Sequence, residues 1–170
     1  MNEEYDVLDI ARYIINECNE KGIIISNLKL QKLLYFVQGY TFAFEGHRCF
    51  SNVIQAWDYG PVCPDAYHEF KRYGAMNIPT VKTYTECSIE NHKIKIETKT
   101  YNPLMVDAKT REIIDAIIDN YGKYSATTLV EITHGQTPWE KTYYNHPMEK
   151  NVIISEELIR RYFENKVHGE

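Results

Sequence analysis

Ser26-Asn27-Leu28-Lys29-Leu30-Gln31-Lys32-Leu33-Leu34-Tyr35-Phe36-Val37, continued to Phe44 and stopped by Gly46, is the stretch that decides the fold. Ser26 is a good N-cap, and the glycine suits a helix end. Leu30, Leu33, Leu34, Val37, Thr41 and Phe44 fall on one helical face, with Leu28, Tyr35 and Phe42 on a neighbouring one. A helix that is apolar on more than one side is covered on more than one side. This segment is therefore expected at the centre of a compact, mainly α (α+β) helical domain, with other helices packed around it.

Those other helices are written on either side of it. Val7, Ile10, Ala11, Ile14 and Cys18 give an amphipathic helix from about Asp6 to Lys21, closed by Gly22. Pro64 and Asp65 open a short helix with Tyr67 and Phe70 facing inward until Gly74. Asp107 caps a helix carrying Ile113, Ile114, Ile117 and Ile118 up to Gly122, and Ser125 opens another to about His134. Thr137-Pro138-Trp139-Glu140 reads as a capping box, and Ser155 caps a last helix to about Val167 with Leu158, Ile159, Tyr162 and Phe163 inward.

Two segments change period. Val53-Ile54-Gln55-Ala56-Trp57 is β-branched and short, which favours an extended strand ended by a turn at Tyr59-Gly60-Pro61. Lys93-Ile94-Lys95-Ile96-Glu97-Thr98 alternates strictly, so 81–101 is expected as a β-hairpin bending at Glu90-Asn91-His92 with one charged, exposed face. No linker or repeat interrupts 1–170, which reads as a single domain.

Composition narrows the function. A net charge of −5 opposes the long-range attraction that supplies non-specific nucleic-acid affinity, and no basic cluster exceeds Arg160-Arg161. No apolar run approaches the roughly 20 residues of a bilayer span, and the acidic start Met1–Asp6 does not resemble a secretory signal. Cys18, Cys49, Cys63 and Cys87 form no Cys-x-x-Cys pair and read as free thiols of a cytoplasmic protein. Fourteen tyrosines suit a protein interface, and equally a half-buried helical core.

No phosphate loop, nucleophile elbow, His-Glu-x-x-His or dinucleotide fingerprint is present. Cys63, His68 and Asp65 can be drawn as nucleophile, base and orienter, and His47, Cys49, Cys63 and His68 as metal ligands. Neither set has the spacing its chemistry prefers. The chain is expected to be no enzyme, with no cofactor and no metal. By elimination it is a binding protein.

Three ordered segments carry a resemblance: Leu30–Phe36, then Ala56-Trp57-Asp58-Tyr59-Gly60-Pro61-Val62, then Leu129–Trp139 with its Thr133-His134 and Pro138-Trp139. Together they are similar to the signature of the Panacea antitoxin domain family, which includes phage-associated GepA-like proteins and SocA-like antitoxins. The resemblance implies an antitoxin of a type II-like toxin–antitoxin system. Its partner would be a cognate protein toxin encoded by an adjacent gene, neutralised by direct protein–protein binding. It also leaves open a proteolytic adaptor working with a cellular protease, or a phage-encoded regulatory module without a toxin partner. A homo-oligomer is compatible with either.

The signature residues, Lys32, Tyr35, Trp57, Asp58, Tyr59, Gly60, Pro61, His134 and Trp139, have two readings each. Trp57 can anchor the turn on the central helix or form part of a partner-facing surface. Lys32, stranded in an apolar helix, is expected to meet Asp58 and tie the turn to the helix. His134, at a helix end, is expected to suit the dipole in its positive form or to serve as a ligand. The 81–101 hairpin is a further candidate for partner specificity.

Overall fold

A computed structural model describes residues 4–169, so Met1, Asn2 and Glu3 of the acidic start lie outside the described residues. Seven α-helices and five short strands follow one another as α1 (Val7–Glu20), α2 (Asn27–Glu45), β1 (Gln55–Trp57), β2 (Gly60–Val62), α3 (Pro64–Phe70), β3 (Thr83–Glu90), β4 (Lys93–Thr100), α4 (Ala108–Tyr121), α5 (Ala126–His134), α6 (Thr137–Asn145), β5 (Val152–Ile153) and α7 (Glu156–His168). The architecture is mainly α with a small β component, as the sequence pattern implies. Among the described residues no helix is long and apolar enough to cross a membrane.

The central helix forms as its ends dictate. The Ser26 side chain accepts from the Lys29 amide, and Gly46 turns left-handed at φ +73° to donate back to the Phe42 carbonyl. Between them α2 touches α1, α3, α4, α5 and α7. Leu30, Leu33, Leu34, Phe36 and Val37 are wholly buried. Phe36 stacks on Tyr121 of α4 at 4.3 Å, and the Phe163 ring of α7 lies directly over Gly39. Phe44, expected inward, is instead turned to solvent and stacked on Tyr40, its neighbour one turn back on the least covered face.

The polar groups this helix buries are satisfied internally. The Gln38 amide accepts from the backbone of Cys49 and Phe50 and donates to the Phe50 carbonyl. Lys29 donates to the Gly122 carbonyl at the end of α4. Long side chains of α2 thus fasten the irregular segments around it, which would otherwise carry unpaired backbone groups.

β1 and β2 form a tight antiparallel hairpin in the register Gln55↔Val62, Ala56↔Pro61 and Trp57↔Gly60, so Asp58-Tyr59 is the turn. The turn therefore lies one residue earlier than expected, and Gly60-Pro61 belongs to a strand. Pro61 is tolerated because β2 is an edge strand, where a missing N–H costs no ladder bond. β5, two residues long and silent in the sequence, pairs on the other side of β1. β3 and β4 form a separate hairpin with the two-residue turn Asn91-His92, both left-handed at φ +49° and +63°.

The expected capping box at Thr137 does not form. Gln136 occupies the cap position and makes no side-chain cap bond, because its amide is committed to Tyr35. The helix expected to run to Gly74 ends as α3 at Phe70 and continues as a single 3₁₀ turn, Lys71–Tyr73, before Gly74.

An alanine β-carbon at Gly39 would lie 2.2 to 2.6 Å from three carbons of the Phe163 ring. We expect Gly39→Ala to destabilise the protein by about 1–3 kcal/mol, outweighing the roughly 1 kcal/mol gain in helix propensity. A lower midpoint in thermal or urea denaturation checks this, and an unchanged or raised midpoint contradicts the close packing of α7 on α2.

Candidate partner-binding site

Three residues on one stripe of α2 hold the β1–β2 hairpin and the start of α6. The Gln31 amide oxygen accepts from the Cys63 backbone at 3.0 Å. The Lys32 ammonium donates to the Pro61 carbonyl at 2.9 Å, and the Tyr35 hydroxyl donates to the Gln136 amide oxygen at 2.9 Å. Lys32 is fully buried and Tyr35 nearly so. The expected Lys32–Asp58 pair is absent: Asp58 is exposed and accepts from the Tyr143 hydroxyl at 2.8 Å. A backbone carbonyl meets the lysine instead, so burial is uncompensated by charge and lowers its pKa to about 7.

From the opposite side the α5–α6 corner closes on the same hairpin. The Trp139 indole N–H donates to the Trp57 carbonyl at 2.8 Å. His134, Trp139 and Tyr143 form a continuous stack, with centroid separations of 4.0 and 4.5 Å. The wholly buried Thr133 sits against the α-carbon of Gly60, whose φ of +98° keeps the strand clear of it. Burial lowers the His134 pKa, the Lys32 charge adding in the same direction against the Asp58 backbone. The ring is a stacking partner of Trp139, and its burial disfavours the charged form that the helix dipole would suit.

The signature consequently divides by position. Lys32, Tyr35, Gly60, Pro61 and Trp139 are buried and set the shape of the hairpin. Asp58 and Tyr59 form its exposed tip, and the half-buried Trp57 rests edge-on against Tyr67 at 4.8 Å. Beside the tip lies an open groove of about 590 Å³, whose lining includes Trp57, Asp58, Tyr59, Tyr67, Tyr143 and Tyr144. Tyr59 and Tyr144 are 69% and 65% exposed.

Sequence reasoning missed Tyr67, Tyr143, Tyr144 and Gln136 as members of this region. Only Tyr143 left a usable signal, four residues after Trp139 and hence on the same helical face.

The region is poorly suited to covalent chemistry. The Cys63 thiol is buried and pushed up to about 11, whereas a nucleophilic thiol needs the opposite. Its backbone bonds Gln31, and His68 is exposed and packs edge-on against Tyr67. Lys32 is closed off from any substrate. Among the described residues no three His, Cys, Asp or Glu side chains gather as metal ligands, so His47, Cys49, Cys63 and His68 are not brought together. The arrangement offers rigid aromatic surface edged by hydrogen-bonding groups, the chemistry of protein recognition.

Two measurements test the clamp. Lys32 titrates near 7 when folded and near 10.5 when unfolded. Between those values the unfolded chain holds the extra proton, so stability rises with pH by up to about 1.4 kcal/mol per unit. Urea denaturation of the wild-type chain and Lys32→Met at about pH 7.5 and 8.5 should show the wild type gaining stability on the variant by about this amount, while the buried thiols, which titrate near 8.5 only when unfolded, affect both chains alike. The same pH dependence in both chains would contradict the uncompensated burial. Gly60→Ala, forced into a left-handed strand position against Thr133 and Lys32, should cost about 2 kcal/mol or more.

The chain is 29% identical over 143 residues to Antitoxin SocA of Caulobacter vibrioides (strain NA1000 / CB15N), covering 81% of this chain and 70% of that protein. No solved structure gives a significant match. The family profile described as "Antitoxin SocA-like, Panacea domain" matches residues 30–140, from the central helix to the residue after Trp139. This span holds every residue of the clamp from Gln31 to Trp139, and the chain belongs to the SocA-like, Panacea-domain antitoxin family.

Proposed function

We propose that this chain is an antitoxin that neutralises a cognate protein toxin by holding it in a complex, acting in the cytoplasm and without catalysis of its own. The observation that carries the reading is the exposed aromatic groove presented by the buried signature clamp, in a chain of an antitoxin family. Tyrosine and tryptophan contribute large rigid contact area at low entropic cost, which is why they dominate protein interfaces. Asp58, held by Tyr143, supplies a fixed negative group at the rim of the groove.

In this reading Trp57, Asp58, Tyr59, Tyr67 and Tyr144 contact the toxin. Lys32, Tyr35, Gly60, Pro61, His134 and Trp139 act through the shape they impose. The toxin's gene is adjacent, and its product is harmful when expressed alone.

Tyr59→Ala and Tyr144→Ala truncate exposed rings, so neither should alter the thermal midpoint appreciably. Each is expected to weaken binding of the adjacent gene's product by about tenfold or more and to reduce rescue on co-expression. A neighbouring product that is harmless alone would refute the antitoxin reading. A toxic product rescued equally well by the double variant would refute the groove as its site.

A further inference from the structure

The β3–β4 hairpin stands outside the clamp and is unlike the rest of the protein. Its register pairs Cys87 with Ile96 and Ile89 with Ile94, placing these four residues on one face. The three isoleucines are 77%, 73% and 69% exposed, in the order Ile89, Ile94, Ile96. The other face carries Glu86, Glu90 and Glu97 against Lys93, Lys95 and Lys99, and the ion pairs Lys95–Glu90, Lys95–Glu97 and Lys99–Glu86 balance most of it internally.

The two strands differ in cover. β3 leans on the body, with Tyr84 beneath the Arg12 guanidinium at 3.6 Å and Glu86 half-buried. Every residue of β4 is exposed, and among the described residues its backbone bonds only to β3. A two-residue turn with both residues left-handed makes Glu90↔Lys93 a hydrogen-bonded pair, so Ile94, Ile96 and Thr98 direct their N–H and C=O groups outward. An unpaired edge eight residues long is a template for another strand.

The sequence of β4 complements itself. Centred on Ile96, antiparallel self-pairing sets Ile96 opposite Ile96, Ile94 opposite Thr98, and Lys95 opposite Glu97 twice. All three outward-directed residues then meet outward-directed partners, and each face keeps its own character. The cost is Lys93 opposite Lys99 at the two ends, where Glu86 already neutralises Lys99. β3 offers no such match, since centring on Ser88 sets Glu86 opposite Glu90.

We propose that this chain self-associates through β4, a second copy adding antiparallel to its outer edge to form a four-stranded sheet in the order β3-β4-β4-β3. Ile89, Ile94 and Ile96 of both copies then share one face, with Ile94 and Ile96 in diagonal contact across the seam. Two strands alone are marginal in water, and four are not. The contact is roughly 24 Å long, at the low end of interface sizes, so association falls in the micromolar range.

Sedimentation of the purified full chain from about 1 to 200 µM should show a monomer–dimer equilibrium. Ile96→Pro removes an outward N–H without touching the β3–β4 ladder, and should leave a monomer with an unchanged circular dichroism spectrum. Glu97→Lys sets lysine against Lys95 of the second copy and should weaken association at least tenfold, with Lys95→Glu added to Glu97→Lys restoring it. A wild-type chain that stays monomeric throughout overturns the proposal, including the case in which the edge serves some other protein. So does a dimer indifferent to Glu97→Lys, a test that stands even if the proline variant fails to fold.

Discussion

The structure turns on one hydrogen bond, from the buried Lys32 ammonium to the Pro61 carbonyl. An ammonium taken out of water with no carboxylate beside it is costly, and its lowered pKa records that cost. The fold tolerates it because the lysine reaches a backbone carbonyl of the edge strand β2. Gln31 and Tyr35 work beside it along the same helical stripe, and Trp139 grips the hairpin from the far side. The two-residue tip is thereby held from both sides, and a groove of aromatic rings is left beside it.

This division explains why a strongly patterned signature need not be the contact surface. Most of its residues are buried, and each is bonded to backbone or to another signature segment. Gly60 is there for its φ of +98° and its missing β-carbon, and His134 for a flat ring against Trp139. Such a scaffold fixes the position of a small exposed surface while leaving its side chains free to vary.

Local chemistry was legible in advance. Ser26 and Gly46 bound α2, Asp107, Ser125 and Ser155 cap their helices as read, and the alternating stretch 81–101 contains β3 and β4. Each of these depends on residues within a turn or two of one another. The errors came from contacts distant in sequence. The obvious carboxylate for Lys32 is Asp58, but its partner is the Pro61 carbonyl, which only the folded hairpin brings to it. Nothing near Gln136 marks it as the cap position, because the group that claims its side chain, Tyr35, lies 101 residues away. The turn was set one residue late because Gly-Pro reads as a bend, although an edge strand accommodates both. Tyr67, Tyr143 and Tyr144 had no motif at all, and only packing brings them to one groove.

The most direct test of a buried clamp presenting an exposed rim is a structure of this chain bound to the product of the adjacent gene. The account predicts that Tyr59 and Tyr144 become covered while Lys32 still donates to Pro61 and Trp139 to Trp57. A partner seated elsewhere with the groove empty, or a complex in which Lys32 leaves Pro61 to contact the partner, would contradict it.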